Sequence, residues 1–147
     1  MPIENTKRVA EDRIRALIDH WAGALRAKDA DRVLTNYAPD SVTFDLAPPL
    51  ISAGADAAGL QAWFATWHGP IAYEIRDLQV TVGDDVAFCH GLARLSGTKT
   101  DGEKPEVWFR LTLGLRKLGS EWRIAHQHES VPFYMDGSYR AAVDLEP

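Results

Sequence analysis

Four successive segments in the second half of the chain have the patterning of β-strands, and short polar turns separate them. The segments span residues 72–82, 86–96, 107–118 and 122–131. Gly83-Asp84-Asp85 and Gly119-Ser120 are tight-turn signals, and residues 97–105 form a longer polar loop. We therefore expect a meander of long strands, and this feature constrains the fold more than any other in the sequence.

The first half of the chain is patterned for helices instead. In the first helix, apolar side chains recur on one face at helical spacing, at Val9, Ile14, Leu17, Ile18, Trp21 and Leu25. Asp29 is a suitable N-cap for a second, short helix, which would end before Pro39 and would carry Val33, Leu34 and Tyr37. Residues 41–46 alternate like one short strand.

A third helix is predicted after Asp56, which can cap it, and Gly69-Pro70 would end it. Its apolar face would carry Leu60, Trp63, Phe64 and Trp67. Helices followed by a meander predict an α+β fold. We expect a cone-shaped, curved antiparallel sheet wrapped around the three N-terminal helices, with a pocket at its open end. The expected single domain spans 1–147, with a core of 8–135 and a C-terminal extension of 136–147.

Composition narrows the classes of protein that fit. The chain has 147 residues, of which 46% are hydrophobic and 25% are charged, as expected of a globular domain. The net charge is −5 and the basic residues are not clustered, so no nucleic-acid surface is predicted. The N-terminus is polar and no apolar run could cross a bilayer, so we expect a cytoplasmic protein without membrane contact. The single cysteine, Cys89, excludes an intrachain disulfide, and we interpret it as a buried small hydrophobe.

Two parts of the sequence resemble a known superfamily. The first is NYAPDSVTFD at 36–45, and the second comprises WFRLT at 108–112, RK at 116–117 and WRIAHQHESVP at 122–132. Together they resemble the SnoaL-like or ketosteroid-isomerase-like branch of the nuclear transport factor 2-like superfamily. The last strand is also similar to the association domain of the calcium/calmodulin-dependent kinase II. The superfamily includes isomerases, cyclases and dehydratases, and also proteins that only bind or assemble.

The resemblance implies that Asp45 occupies the position of the general-base aspartate of the isomerases. A carboxylate at the mouth of an apolar cone has its charged form desolvated, which suits proton abstraction next to a carbonyl group. The alternative is an aspartate at a strand end that bonds the loop backbone. The isomerase oxyanion hole uses a Tyr and a protonated Asp. Trp21 stands at the position of the Tyr, and Thr112 or Gly114 at that of the Asp, so the sequence departs from the isomerase pattern.

His90 and Arg94 lie four residues apart on one predicted strand, so their side chains face the same side. Phe88 and Leu92 share that side, which makes it the expected inward face. Arg94 would then pair with an anion of the ligand, and His90 would act as a general acid or base. The alternatives are an ion pair of Arg94 with a protein carboxylate, Asp45 or Glu129, and a structural role for His90 in the core or in an interface.

The last strand has two faces, and the sequence leaves their assignment open. Ile124, His126, His128 and Ser130 alternate with Arg123, Ala125, Gln127 and Glu129. The resemblance places Gln127 and Glu129 in the pocket and the His pair outside, whereas a bulge would exchange the faces and bring His128 inward. A bulge could likewise turn Arg110 inward. The His-x-His spacing would suit a metal ion, but a third ligand is missing, so no metal site is predicted.

The aromatic residues Trp21, Tyr37, Trp63 and Trp67 are candidate ligand contacts, with core packing as the alternative. We expect a cofactor-independent isomerase, cyclase or dehydratase that acts on a hydrophobic or carboxylate-bearing small molecule. The alternative is a domain that only binds a ligand or assembles. A homodimer is expected in both cases, because the outer face of the sheet would otherwise expose Trp108, His126 and His128.

Overall fold

The computed structural model describes residues 2–147, and Met1 lies outside the described part. The elements of that part are α1 (Ile3–Arg26), α2 (Ala30–Leu34), β1 (Tyr37–Phe44), β2 (Ser52–Ala53), α3 (Ala57–Phe64), β3 (Trp67–Val82), β4 (Val86–Lys99), β5 (Glu106–Leu118) and β6 (Glu121–Ser130). Each of the four predicted strands of the meander is present, and the α+β class is confirmed.

The two predicted N-caps are confirmed. The side chain of Asp29 accepts a hydrogen bond from the backbone N–H of Arg32, and that of Asp56 accepts one from Gly59. These bonds satisfy N–H groups that have no partner within the first helical turn. In α1 the predicted apolar face is buried at Ile14, Ile18, Trp21 and Leu25, whereas Val9 is 42% exposed.

Two boundaries differ from the prediction. Tyr37 opens β1 instead of closing α2, and Trp67 opens β3 instead of lying on α3, which already ends at Phe64. Both strands continue through a proline with the help of an irregularity. The pairing of β1 shifts between Tyr37 and Val42, around Pro39, and that of β3 shifts between His68 and Ala72. A bulge leaves the proline outside the hydrogen-bonded ladder, so it does not end the strand.

The strands form one curved, unclosed sheet in the order β2-β1-β6-β5-β4-β3. Strands β3 to β6 pair antiparallel, as the meander predicts. The short β2 pairs antiparallel with β1. Strand β1, however, pairs parallel with β6, so the sheet is mixed. The long connection through α3 and the meander allows this, because a parallel pair needs a crossover and cannot be joined by a tight turn.

The inner face of the sheet packs on α1 and forms the core. On β5 it consists of Phe109, Leu111, Leu113 and Leu115, and on β4 of Ala87, Cys89 and Ala93, all buried in one cluster with Trp21. The expectation that Phe88, His90, Leu92 and Arg94 face inward is therefore wrong. The concave side of a curved sheet has less room than the convex side, so it takes the small residues of β4. Cys89 is fully buried, as expected, and burial raises the pKa of its thiol to about 11.

Candidate functional site

A bulge in β6 determines which side chains enter the core. Leu115 pairs with Ile124 and Gly114 pairs with His126, so Ala125 has no opposite residue on β5. Ile124 and Gln127 are three positions apart, so strict alternation would place them on opposite faces. Because of the bulge, both side chains are buried on the inner face. Glu129 then lies opposite the buried Leu111, and the structure places Gln127 and Glu129 on the inner face.

A directed chain of hydrogen bonds crosses the core from α1 to β6. The indole N–H of Trp21 donates to the hydroxyl of Tyr37 at 2.9 Å. An indole N–H can only donate, so the Tyr37 oxygen accepts this bond. The Tyr37 hydroxyl therefore donates its own proton to Oε1 of Gln127. This fixes the amide of Gln127, whose Nε2 donates to Oε1 of Glu129 at 2.6 Å. Four residues are thus held in one orientation by mutually dependent bonds.

The chain of bonds ends at a pair of carboxyl groups. The parallel register joins Phe44 to His128, so the following residues, Asp45 and Glu129, lie side by side. The pKa of Glu129 is raised from 4.5 to about 8, first by burial and then by the charge of Asp45 and a hydrogen bond to it, whereas the bond from Gln127 acts to lower it. Glu129 is consequently protonated at neutral pH and donates to Asp45, and the pair shares one proton.

The carboxyl pair is accessible from solvent on one side. Asp45 is exposed, and its Oδ1 also accepts a hydrogen bond from the backbone N–H of Leu46 at 2.8 Å. Glu129 has intermediate exposure as a residue, but its carboxyl group is largely desolvated. The pair therefore lies at the rim of the apolar interior, with one member in water and the other in the core.

Tyr73 of β3 also lines the inner face. In the sequence it only alternates in phase with Ile71, and nothing else marked it as a site residue. Its ring is 5.6 Å from that of Trp21, edge-on at 81°, and 6.1 Å from that of Phe109. Burial raises the pKa values of Tyr37 and Tyr73, and the carboxyl groups of Glu129 and Asp45, when ionised, raise both further. Both phenols are therefore neutral donors over the physiological range.

A model of the SnoaL-like domain matches residues 14–134. The chain belongs to the SnoaL-like family. A nuclear transport factor 2-like protein of unknown function from Pseudomonas putida KT2440 is 34% identical, with a TM-score of 0.85 over 95% of this chain and 98% of the other. A ketosteroid isomerase-like protein from Erwinia carotovora atroseptica is 24% identical, with a TM-score of 0.69 over 81% and 93% of the two chains.

A nuclear transport factor 2-like superfamily protein from Salmonella enterica has a TM-score of 0.76 at 14% identity, over 89% and 96% of the two chains. At the identities of the Erwinia and Salmonella proteins, the likeness establishes the fold alone. No functionally curated protein matches the sequence significantly. The family match and the likeness to the Pseudomonas protein confirm the SnoaL-like family and the nuclear transport factor 2-like superfamily with its fold.

In this SnoaL-like domain, Arg94 and His90 are remote from the carboxyl pair. Arg94 lies on the outer face, where its guanidinium is 2.5 Å from Glu74 and 3.3 Å from Glu106, and it lies 6.0 Å from the ring of Trp108. Neither of the ion pairs considered for Arg94, with Asp45 or with Glu129, is formed. His90 lies opposite Thr112 on the same outer face. Of the three candidate catalytic residues, only Asp45 reaches the site.

Two further candidates, Arg110 on β5 and His128 on β6, also lie outside. Arg110 donates from Nε to Oγ of Ser130 at 3.1 Å. His128 packs edge-on against Phe44 at 5.3 Å, and the neighbouring His126 bonds the carbonyl oxygen of Val42 through Nδ1 at 2.7 Å. Within residues 2–147, no three His, Cys, Asp or Glu side chains converge on one point.

Trp63 and Trp67 form a separate aromatic cluster. Their rings are 5.8 Å apart and nearly perpendicular, and Nζ of Lys99 lies 3.9 Å from the centre of the Trp67 ring. Gly97 passes directly over this ring, since a Cβ atom at that position would lie 3.0 Å from it. Both rings thus pack against the C-terminal end of β4. Trp21 and Tyr37 are the aromatic candidates that the structure joins to Glu129.

Two surface clefts lie away from the carboxyl pair. One of about 590 Å³ is lined by residues of α1 and β6, including His20 and Trp122, and by Asn36, which lies between α2 and β1. The other, of about 470 Å³, lies on the outer face beside His90 and Arg110. Neither is lined by Asp45 or Glu129. We place the candidate site at the carboxyl pair because the titratable groups whose pKa values are shifted by burial converge there. Such groups indicate a catalytic site more strongly than the volume of a cleft does.

Proposed function

We propose that this SnoaL-like protein is an enzyme that moves a proton on a hydrophobic carbonyl compound, in an isomerisation, cyclisation or dehydration. The observation that carries the proposal is the pair formed by Glu129 and Asp45, in which a buried acid stays protonated beside a charged carboxylate. Such a pair supplies an acid and a base at the same pH, so the reaction needs no cofactor for proton transfer.

The two carboxyl groups have different roles in this reaction. The carboxylate of Asp45 accepts a proton from the carbon next to the carbonyl group, while Glu129 gives its proton to the carbonyl oxygen. The product is the enol, and the pair still holds one proton. Return of the Asp45 proton to another carbon, and of the enol proton to Glu129, completes an isomerisation without net change in the enzyme.

The surroundings of the pair support an apolar substrate. Glu129 lies opposite Leu111, and the inner face of β5 continues with the buried Leu113 and Phe109. Of the ligand-binding candidates from the sequence, Trp21, Tyr37, Gln127 and Glu129 form the connected chain of bonds described above. Tyr37 and Gln127 have their hydrogen bonds satisfied by protein groups, so we assign them to positioning Glu129.

The proposal can be tested without knowing the natural substrate. Incubation with a panel of cyclic ketones and enones in D₂O reports proton abstraction as the loss of α-proton signals in NMR spectra. We expect Glu129→Gln and Asp45→Asn each to slow enzyme-dependent exchange by about 10²- to 10⁴-fold. Asp19→Asn, at an exposed carboxyl group on α1, is the matched control. Exchange at the control rate in both variants would refute the enzymatic role.

That last outcome would favour a domain that only binds a ligand or assembles. We also propose that two copies associate through the outer face of the sheet, where Phe88 is 49% exposed next to a surface that carries His90, Trp108 and Arg110. Phe88→Glu would place a charge in that interface. Sedimentation is expected to give a dimer for the wild type and a monomer for the variant, and a monomeric wild type at micromolar concentration would contradict the proposal.

We further propose that residues 1–147 form one domain, with its core at about 8–135. In support, the segment after β6 folds back on itself, since Ala142 is buried and its backbone N–H donates to the carbonyl oxygen of Pro132 at 2.8 Å. None of the helices in residues 2–147 is long and apolar enough to span a membrane. The cytoplasmic location stays a prediction.

A further inference from the structure

The hydroxyl group of Tyr73 differs from every other inward polar group near the carboxyl pair. The side chain is only 5% exposed, and its oxygen is buried without a hydrogen-bond partner among residues 2–147. A buried hydroxyl without a partner costs about 1–3 kcal/mol relative to one that is bonded. Phenylalanine would fill the same space without that cost, so packing alone does not explain the hydroxyl.

The position of Tyr73 links it to the candidate site through two contacts. Its ring packs edge-on against Trp21, the residue that begins the chain of hydrogen bonds to Glu129. It also packs, tilted by 58°, against Phe109, two positions from the Leu111 that lies opposite Glu129. The backbone of Tyr73 is also fixed, because Nη1 of Arg26 donates to its carbonyl oxygen at 2.8 Å. Tyr73 is therefore held by two aromatic neighbours and at its backbone.

The second buried tyrosine cannot serve the same purpose. The hydroxyl of Tyr37 accepts from Trp21 and donates to Gln127, so it has no proton left for a ligand. Burial is the largest cause that raises the pKa of the Tyr73 phenol, and the carboxyl groups of Glu129 and Asp45 raise it further when ionised, so the hydroxyl keeps its proton. Tyr73 is thus a neutral, rigid and unused donor within electrostatic reach of the carboxyl pair.

We propose that the hydroxyl of Tyr73 donates a hydrogen bond to the carbonyl oxygen of the ligand, an inference that rests on the proposed function. A carbonyl oxygen has two lone pairs, of which one receives the proton of Glu129 and the other accepts from Tyr73. The bond strengthens as negative charge develops on the oxygen, so it stabilises the enol-forming step more than the bound ketone. The ligand class is an apolar compound with one carbonyl group directed at β3.

The test uses 1-tetralone labelled with ¹³C at the carbonyl carbon, and tetralin, which has the same rings without the oxygen. Binding of each to the full chain is measured by tryptophan fluorescence, and the carbonyl stretch of bound tetralone by infrared difference spectroscopy. In the wild type we expect tetralone to bind more tightly than tetralin and its carbonyl frequency to fall on binding. Tyr73→Phe is expected to abolish the frequency shift due to this bond and to weaken tetralone binding by about 3- to 10-fold, with tetralin unaffected.

Tyr139→Phe, which removes a hydroxyl from a side chain that is 69% exposed, is the matched control and is expected to behave as the wild type. Thermal unfolding verifies the fold of Tyr73→Phe, and 3-fluorotyrosine at position 73, a stronger donor of the same shape, is expected to lower the carbonyl frequency further. If tetralone binds with the same carbonyl frequency in Tyr73→Phe, the assignment of Tyr73 is overturned while the proposed function stands. If neither probe binds to the wild type, both are overturned.

Discussion

Asp45 lies beside Glu129 because β1 and β6 run in the same direction and the register joins the residues that precede them, Phe44 and His128. The two carboxyl groups come from opposite halves of the sequence, and the one strand pair that is parallel brings them together. After burial, the charge of Asp45 and the hydrogen bond to it are the next causes of the raised pKa of Glu129.

The first prediction concerns stability and pH. The pKa of Glu129 is raised from 4.5 to about 8, so the folded chain retains a proton that the unfolded chain loses above pH 4.5. The contribution of Glu129 to stability is therefore complete below pH 4.5 and declines as the pH rises to about 8, by at most about 1.4 kcal/mol per pH unit. Urea unfolding at pH 5 and pH 8.5 measures the decline.

Glu129→Gln, which mimics the protonated acid, is expected to remove this part of the pH dependence. Asp19→Asn is expected to keep it. An equal decline in Glu129→Gln and in the wild type would show that another group is responsible.

The second prediction concerns the pKa of Glu129 itself. Asp45→Asn removes the neighbouring charge but retains an acceptor oxygen, so the pKa of Glu129 is expected to fall from about 8 towards 4.5 without reaching it, because burial remains the largest cause. NMR titration of ¹³C-labelled carboxyl groups measures the change. An unaltered pKa in the variant would disprove the coupling of the two groups.

The third prediction concerns Gln127, the central member of the chain of bonds. Gln127→Leu keeps the size but leaves the proton of Tyr37 and the Oε1 atom of Glu129 without partners. We expect a loss of about 2–4 kcal/mol in the free energy of unfolding, since each unsatisfied buried group costs about 1–3 kcal/mol. Chemical denaturation gives the value. Gln79→Leu, at an exposed position on β3, is the control, and equal effects of the two substitutions would contradict the prediction.

The fourth prediction separates the outer face from the site. Arg94 pairs with Glu74 and Glu106 on the partly exposed outer face, so Arg94→Ala is expected to cost about 1 kcal/mol or less and to leave the titration of Glu129 unchanged. If Arg94 were the cationic counterpart of the carboxyl pair, its removal would raise the pKa of Glu129. The same NMR titration distinguishes the two outcomes.

The fifth prediction concerns the close approach of β4 to the Trp63 and Trp67 cluster. A Cβ atom at Gly97 would lie 3.0 Å from the ring of Trp67, so Gly97→Ala is expected to destabilise the fold by about 1–3 kcal/mol. Gly23→Ala in α1 meets nothing closer than 3.7 Å and is expected to be neutral or to stabilise by up to about 1 kcal/mol. Thermal unfolding compares them, and the reverse order would contradict this packing.

The sequence predicted most of the fold because its strongest signals are local. Turn residues and alternation predicted the four strands of the meander, and Asp29 and Asp56 predicted two helix starts that the structure confirms. The starts of β1 and β3 were missed because a proline in a strand looks like a break unless a bulge accommodates it.

The site was harder to predict because it depends on non-local pairing. Alternation along β4 places His90 and Arg94 on the opposite face of the sheet from Cys89, but it does not show which of the two faces is the concave inner one. Asp45 was identified through the resemblance, whereas its proximity to Glu129 follows from a parallel pair that the sequence did not indicate. Tyr73 carries no local signal, because an unpartnered hydroxyl is recognised only after every neighbour has a position.

The location of β6 has a consequence for the order in which the chain can fold. It is the last of the described strands in chain order, but it lies between β1 and β5 in the sheet. During synthesis, β1 and β5 would leave the ribosome before β6, and the edge of each that pairs with β6 would stay unpaired until then. Such unpaired edges are prone to association with other chains. Asp45 therefore gains its partner only when synthesis is almost complete, and a nascent chain that stops short of residue 121 would contain one carboxylate of the pair and none of its chemistry.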